Sequence, residues 1–326
     1  EMQAERESFD GEFSGIGIEY NIMNDSIIVI NTVVKGPAES VGMQPNDRIV
    51  EVDGRNVVGV KRSDVPKLLR GPRGSIVRIG VARRGVPDIL HFDITRDNIP
   101  IYTVDAAYRV NDDIGYIKVN RFGRNTMREF YEAYEKLGDV KSLILDLSSN
   151  GGGMLDPAIE MAGFFLPEGA VVVGTEGRTI PPQRYMANEG GIFDGNVVVL
   201  INENSCSAAT LFPANVLRSH RGLVIGRETR TAYHYMTALK FVDICLPNSR
   251  VTWHIPLVKC VFDTTENPRI PYGRGVIPDI HVPLTYEEVA STNGDAILNR
   301  ALEAIANGEY LGENPFGDDA EGGCAV

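Results

Sequence analysis

Ser142-Leu143-Ile144-Leu145-Asp146-Leu147-Ser148-Ser149-Asn150-Gly151-Gly152-Gly153 is a mainly apolar run to Leu147, then three polar residues and three consecutive glycines. Residues 142–147 show no alternation of apolar and polar side chains, so they read as a strand covered on both faces, the usual state of a strand in a parallel sheet. The glycines read as a sharp turn, and Asp156-Pro157 as the cap and first residue of a helix. Upstream, Ile114–Val119 is a second strand, and Thr126-Met127-Arg128-Glu129 has the form of a capping box. It opens a helix whose apolar face is Met127, Phe130, Tyr134 and Leu137. Downstream, Val197–Ile201 is a strand, Ala208–Ser219 a helix and Leu223–Ile225 a strand. Repeated βαβ units imply an α/β core, a largely parallel sheet between helices.

From Gly15 to Asp97 the pattern changes to short β-runs: Gly15–Tyr20, Ser26–Val34, Arg48–Val52, Ile76–Arg83 and Ile89–Thr95. Turn signals such as Asp53-Gly54 and Gly71-Pro72 separate them. Two helices fit between, Pro37–Ser40 and a second one capped by Ser63 or Asp64 and ending at Leu69. The chain is therefore expected to hold an N-terminal remnant (1–10), a β-rich domain (11–98), an α/β core (99–308) and a Gly- and acid-rich mobile tail (309–326).

The 326 residues carry 32 basic and 44 acidic side chains, and a formal net charge of -12 repels phosphate backbones, so nucleic acid is not an expected partner. No apolar run has the length of a membrane span. Cys206, Cys245, Cys260 and Cys324 lack CxxC spacing, so neither a zinc site nor a disulfide scaffold is expected, and no metal or cofactor. The opening Glu1-Met2-Gln3-Ala4-Glu5 is not a signal peptide.

The motifs HExxH, GxxxxGKS/T and GxSxG are absent, and Gly15-Ile16-Gly17 lacks the third glycine and the helix of a dinucleotide fingerprint. Two constellations remain. Gly151-Gly152-Gly153 presents bare backbone N–H groups at the end of a buried strand, as an oxyanion or phosphate site requires. A tight turn before a helix accounts for the same residues without chemistry. Asn202-Glu203-Asn204-Ser205-Cys206-Ser207-Ala208 joins a buried strand to a helix, and a hydroxyl at that helix's first turn sits in the positive end of its dipole. Serine is equally among the best N-caps.

Leu143–Leu147 with Asn150 and Gly152-Gly153 resembles the LILDLRxNxGG signature of the C-terminal processing (tail-specific) serine peptidases. Asn202-Glu203, Ser205 and Ser207-Ala208 resemble their NExSASASE element, with Ser207 in the nucleophile's place. Ile114–Val119 with Asn120 and Phe122 is similar to the strand that opens their peptidase core, and Gly275-Val276-Ile277-Pro278-Asp279 to their closing GVxPD element. The first segment resembles their PDZ domain, with Gly15-Ile16-Gly17-Ile18 as the peptide-carboxylate loop. The resemblance implies a crotonase/ClpP-like α/β core with an inserted or preceding β-rich PDZ domain. Ser207 would attack the scissile carbonyl while the N–H groups of Gly152 and Ala208 hold the oxyanion. It also implies protein or peptide substrates whose free C-termini the PDZ domain takes up by strand addition. A bacterial protein exported to the periplasm or cell envelope is implied, and oligomers are compatible with the reading.

The chain departs from the family at Ala232, where a catalytic Lys is expected, at Ser148, where DLR has its Arg, and at Ala209, the third Ser of SASAS. A serine hydroxyl needs a proton acceptor. His234, just past Ala232 and on the same face of an extended segment, is the nearest substitute, ahead of Lys240 and Lys259. A branch similar to the tricorn core takes its His from a segment before the PDZ domain. The chain opens at Glu1, shortly before the PDZ loop, so a weakly active or inactive chain whose His donor lies outside it is expected. The rivals are a peptide-binding relative that has lost its base and a crotonase-fold acyl-CoA enzyme, which gives no reason for a PDZ module. His91 and His281 read as surface or packing residues, His220 as a helix C-terminal residue favoured by the dipole, and Trp253 as part of a half-buried strand.

Overall fold

The computed structural model describes residues 12–187, 193–232, 241–249, 251–261, 267–285 and 295–309, and the chain divides into two compact units after Ile101. The first unit runs β1 (Glu12–Gly15), β2 (Ile18–Met23), β3 (Ser26–Thr32), α1 (Pro37–Ser40), β4 (Arg48–Val52), β5 (Arg55–Asn56), α2 (Val65–Leu69), β6 (Ile76–Ala82), β7 (Leu90–Thr95) and β8 (Asp97–Pro100). Strands β2, β3, β4, β6 and β7 are neighbours in that order and all antiparallel; β5 pairs with β4, and β1 pairs with β8. The alternating β-branched residues explain the sheet: Ile27, Val29, Ile49, Val77, Ile79 and Val81 are fully buried and cluster with Ala38, Val65 and Leu69 of the two helices. The order leaves β2 at an edge of the sheet.

The second unit runs β9 (Val104–Arg109), β10 (Ile114–Val119), α3 (Thr126–Leu137), β11 (Ser142–Asp146), α4 (Leu155–Phe165), β12 (Val171–Glu176), β13 (Gln183–Met186), β14 (Asn196–Ile201), α5 (Ala208–Arg218), β15 (Gly222–Gly226), β16 (Phe241–Cys245), β17 (Thr252–Pro256), β18 (Lys259–Val261), β19 (Ile280–His281) and α6 (Ala296–Ala306). Its main sheet has the order β19-β15-β14-β11-β10-β9, parallel throughout except for β9. Leu143, Leu145, Val197 and Val199 pack into one cluster with the aromatic residues Phe130, Phe164, Phe165 and Phe212 of α3, α4 and α5. Ile144, Val198 and Leu200 face the opposite way, into a cluster with Ile297, Ala301 and Ile305 of α6. Burial on both faces is why these strands read as unbroken apolar runs. Each fully buried Phe contributes about 2–3 kcal/mol to this core.

Two local readings are corrected. Thr126-x-x-Glu129 is not a capping box. Asn125 is the N-cap of α3, and the buried Glu129 carboxylate instead accepts from Thr103 N–H (2.7 Å), Thr103 Oγ1 (2.8 Å) and Val104 N–H (3.2 Å). Those donors open the unit, and together they outcompete the helix's own amides for the carboxylate. Helix α4 starts at Leu155 with Met154 as its N-cap, so Asp156 and Pro157 lie inside the first turn, where a missing N–H costs nothing. Trp253 lies on a strand, β17, which forms a two-stranded ribbon with β16, and at 55% exposure it is half-buried as expected.

Candidate active site

Strand β11 delivers Asp146 to the end of the sheet, where its carboxylate is buried and fully used. Oδ2 accepts from Tyr116 OH (2.6 Å) and Lys118 Nζ (2.7 Å), while Oδ1 accepts from Ser148 N–H (2.7 Å) and Ser148 Oγ. Burial, and after it the Asp146 charge, push the Tyr116 hydroxyl far above the ordinary tyrosine value. Lys118 escaped the sequence reading as a site residue, yet the signal was there. In the parallel β10–β11 register Lys118 lies opposite Asp146, and its ammonium reaches toward Ser148 (3.3 Å), the position where the resemblance expects an arginine.

Beyond Asp146 the chain turns under the control of Asn150, which is completely buried. Its Nδ2 donates to Val119 O (2.9 Å), its Oδ1 accepts from Gly152 N–H (2.8 Å), and its carbonyl accepts from Cys206 N–H (2.9 Å). One residue thus joins the end of β10, the glycine turn and the loop before α5. Gly152 has φ +90°, and a Cβ there would lie 2.6 Å from Cys206 O, 2.7 Å from Ser207 Cβ and 3.2 Å from Ala208 N. At Gly153, with φ +137°, a Cβ would lie 2.0 Å from Phe122 O. Both positions admit glycine alone, because the backbone of a second segment occupies the side-chain space.

The second segment is held as firmly. Asn202 Oδ1 accepts from Ser149 N–H (2.9 Å) and Asn204 N–H (2.9 Å), and Ser205 Oγ donates to Leu147 O (2.8 Å) while accepting from Asn202 N–H (3.0 Å). Ser207 then stands at the N-cap of the 11-residue α5 with φ 51° and ψ -124°, its side chain exposed. Its hydroxyl makes no capping hydrogen bond, and its amide donates to Thr231 Oγ1 (2.7 Å). A serine selected as a cap has an extended backbone and gives its oxygen to an amide of the first turn. Ser207 does neither.

Sequence reasoning brought Ser207, Ala208 and Gly152 together, and they are adjacent: Ala208 opens α5 and Gly152 touches both. The Gly152 N–H is, however, given to Asn150 Oδ1, so it has to leave that bond to reach an oxyanion. Segment 229–232 reaches the same place. Arg230 N–H donates to Ser205 O (3.0 Å), Arg230 Nη2 donates to Asn204 Oδ1 (2.7 Å), and Thr229 exchanges bonds with Val276 of the Gly275–Asp279 element. Ala232 follows Thr231 there and brings only a methyl group. His234 and Lys240 lie outside the described residues. Lys259 is paired with Glu176 (2.6 Å) in β18, and that bond raises its ammonium further above the usual value. His220 is in the turn after α5, His281 is exposed at the end of β19, and His91 contacts Glu51 in the first unit (3.2 Å). Among the described residues no group of three or more His, Cys, Asp or Glu has the geometry to hold a metal ion.

In the first unit, Gly15, Ile16, Gly17 and Ile18 line a cavity of about 180 Å³ closed on the helix side by Pro66 and Leu69. Gly17 has φ +73°, which lets the loop turn from β1 into β2. Of the three apolar residues on α2, Leu69 lines this cavity, whereas Val65 belongs to the core beneath and Leu68 packs against it. The Arg70 guanidinium lies over the Phe13 ring, 4.3 Å from its centroid, at the cavity's rim.

A family model described as "Peptidase family S41" matches residues 113–282, and one described as "PDZ domain" matches residues 29–83. A probable CtpA-like serine protease of Staphylococcus haemolyticus is 31% identical over 289 residues, covering 86% of this chain and 55% of that protein. A carboxy-terminal-processing protease of Bartonella bacilliformis is 32% identical over 305 residues, covering 90% of this chain and 68% of that protein. The chain thus spans about half the length of several curated relatives it matches. Among solved structures, a putative S41 protease from Bacteroides fragilis has the same fold at 18% identity, with a TM-score of 0.52 over 91% of this chain and 84% of that one.

Proposed function

The chain belongs to peptidase family S41, and from that premise we propose that it is a PDZ-containing serine endopeptidase that cuts protein substrates held by their C-terminal ends. Ser207 Oγ adds to the scissile carbonyl, the amine leaves with a proton, and water releases the acyl group from Ser207. The tetrahedral oxyanion forms at the positive end of α5, against the Ala208 N–H, and the Gly152 N–H joins it on release from Asn150. The observation that carries this reading is Ser207 itself: an exposed hydroxyl on a left-handed backbone, free of capping duty and packed against Gly152. Because Ala232 offers no base, the proton acceptor belongs to His234 or to a His outside this chain.

The PDZ unit takes the substrate's last residues as an extra strand on the free edge of β2, with the carboxylate on the loop Gly15–Ile18 and an apolar side chain in the cavity above Leu69. The reading includes export from the cytoplasm. Labelling of the chain by a fluorophosphonate, lost in Ser207→Ala, is the decisive experiment, with cleavage of an unfolded protein as its companion. Labelling that survives Ser207→Ala overturns the assignment of the nucleophile. A chain inert to both is a peptide-binding protein instead.

A further inference from the structure

We propose that Thr231 is a positioning residue for the Ser207 nucleophile, an inference that rests on the reading of Ser207 given above. The backbone of Ser207, at φ 51° and ψ -124°, is a conformation that L-residues hold only where their surroundings over-determine it. Its carbonyl is fixed from within α5, accepting from Thr210 N–H (2.9 Å) and Thr210 Oγ1 (2.7 Å). The preceding amide, Cys206 N–H, is fixed by Asn150 O (2.9 Å). The amide of Ser207 itself is fixed by a group from a different segment, the Thr231 hydroxyl at 2.7 Å.

That hydroxyl is placed by its own neighbours. Arg230 is docked on the nucleophile loop through its amide to Ser205 O (3.0 Å), its Nε to Glu203 O (3.1 Å) and its Nη2 to Asn204 Oδ1 (2.7 Å). Thr229 is docked on Val276, giving its N–H to Val276 O (3.1 Å) and taking Val276 N–H on Oγ1 (2.9 Å). Thr231 therefore approaches Ser207 from a braced segment. A threonine hydroxyl accepts the Ser207 N–H and keeps its own proton for a second partner, which a valine of the same shape cannot do. Without that acceptor the exposed Ser207 amide turns to water, so the fold survives while the backbone relaxes and Oγ swings away from Gly152.

The test compares Thr231→Val and Thr231→Ser with the parent, in the full chain. Four quantities are read: fluorophosphonate labelling of Ser207, hydrogen exchange of the Ser207 amide, the thermal midpoint, and affinity of the PDZ unit for a carboxylate-terminated peptide. Thr231→Val is expected to slow labelling about tenfold or more and to lower Ser207 amide protection by a similar factor. Peptide affinity stays at the parent value, and Thr231→Ser retains most of the parent labelling rate. Labelling of Thr231→Val at the parent rate overturns the proposal, as does unchanged protection of the Ser207 amide. A parent that does not label at all overturns the nucleophile reading and this inference with it, a result that parent labelling with an indifferent valine variant cannot be confused with.

Discussion

Gly152→Ala places one methyl group where the backbone of the Ser207 turn already stands, with Cys206 O at 2.6 Å, Ser207 Cβ at 2.7 Å and Ala208 N at 3.2 Å. Two of the three contacts are main-chain atoms that cannot rotate aside, so the glycine turn and the Ser207 turn have to separate. The positive φ of +90° adds a penalty of about 1–2 kcal/mol for any L-residue. Overpacking adds about 1–3 kcal/mol more, a total near 3 kcal/mol, which in a unit of this size lowers the thermal midpoint by roughly 6–12 °C. The effect on chemistry is larger than the effect on stability, since a displacement of about 1 Å at a reacting group costs about a hundredfold in rate. The neighbouring Gly151→Ala is the control, because a Cβ there meets nothing within 4 Å and its φ is not positive. Its midpoint is expected to move by no more than about 2–4 °C and its labelling rate by less than about threefold. Both variants are assayed by fluorophosphonate labelling and by thermal unfolding. If Gly152→Ala is labelled as fast as Gly151→Ala, the two turns do not form one site and the argument fails.

Asp146→Asn keeps the shape of the carboxylate but removes the charge shared by Lys118, Tyr116 and Ser148, and is expected to cost about 3 kcal/mol in urea unfolding; a loss under about 1 kcal/mol refutes the buried network. Arg227 holds the Glu203 carboxyl below its ordinary 4.5, so this pair stabilises the fold above that pH and the contribution is lost as pH falls through the lowered value. Glu203 is half exposed, so Glu203→Gln is expected to lose at most about 1 kcal/mol at pH 7 and progressively less as the pH falls below 4.5, and a difference between variant and parent that grows on acidification contradicts the pairing. For the PDZ unit, a peptide ending in a free carboxylate is expected to bind about tenfold or more tighter than its C-terminal amide, measured by fluorescence anisotropy; equal affinity removes the carboxylate loop from the account.

The parts of this fold that were legible from sequence are those where a single local rule decides. Residues 142–147 and 197–201 are buried on both faces, and an unbroken apolar run has no other stable use in a strand. The β-branched alternation of 26–32 and 76–82 fixed the first unit in the same way. What failed was capping, because the winning partner of a polar group was distant in sequence: Glu129 solvates the amides of Thr103 and Val104, not those of its own helix. Helix α6 is absent from the expected elements although Asp295 accepts from Ile297 and Leu298 and its apolar residues recur at helical spacing. Ser207 and Gly152 are legible by resemblance alone, since the residues by themselves favour a cap and a tight turn. The evidence against those explanations is conformational, a φ of 51° and a missing cap bond, and no residue type announces either.

The departure at Ala232 bears on catalysis without loosening the site, and the hydrogen bonds say why. The Ser207 turn is held by Asn202 and Ser205 to residues 147 and 149 just after β11, by Asn150 to the glycine turn, and by Arg230 and Thr231 to segment 229–232. None of these bonds uses the side chain at position 232. A lysine there would act on the hydroxyl proton of Ser207, whereas the groups just named act on its backbone, so geometry and proton transfer are separate tasks given to separate residues. Ala232→Lys is therefore expected to raise the labelling rate of Ser207 with little change in the thermal midpoint, and failure to do so in a parent that already labels means that the present base occupies the site by another route.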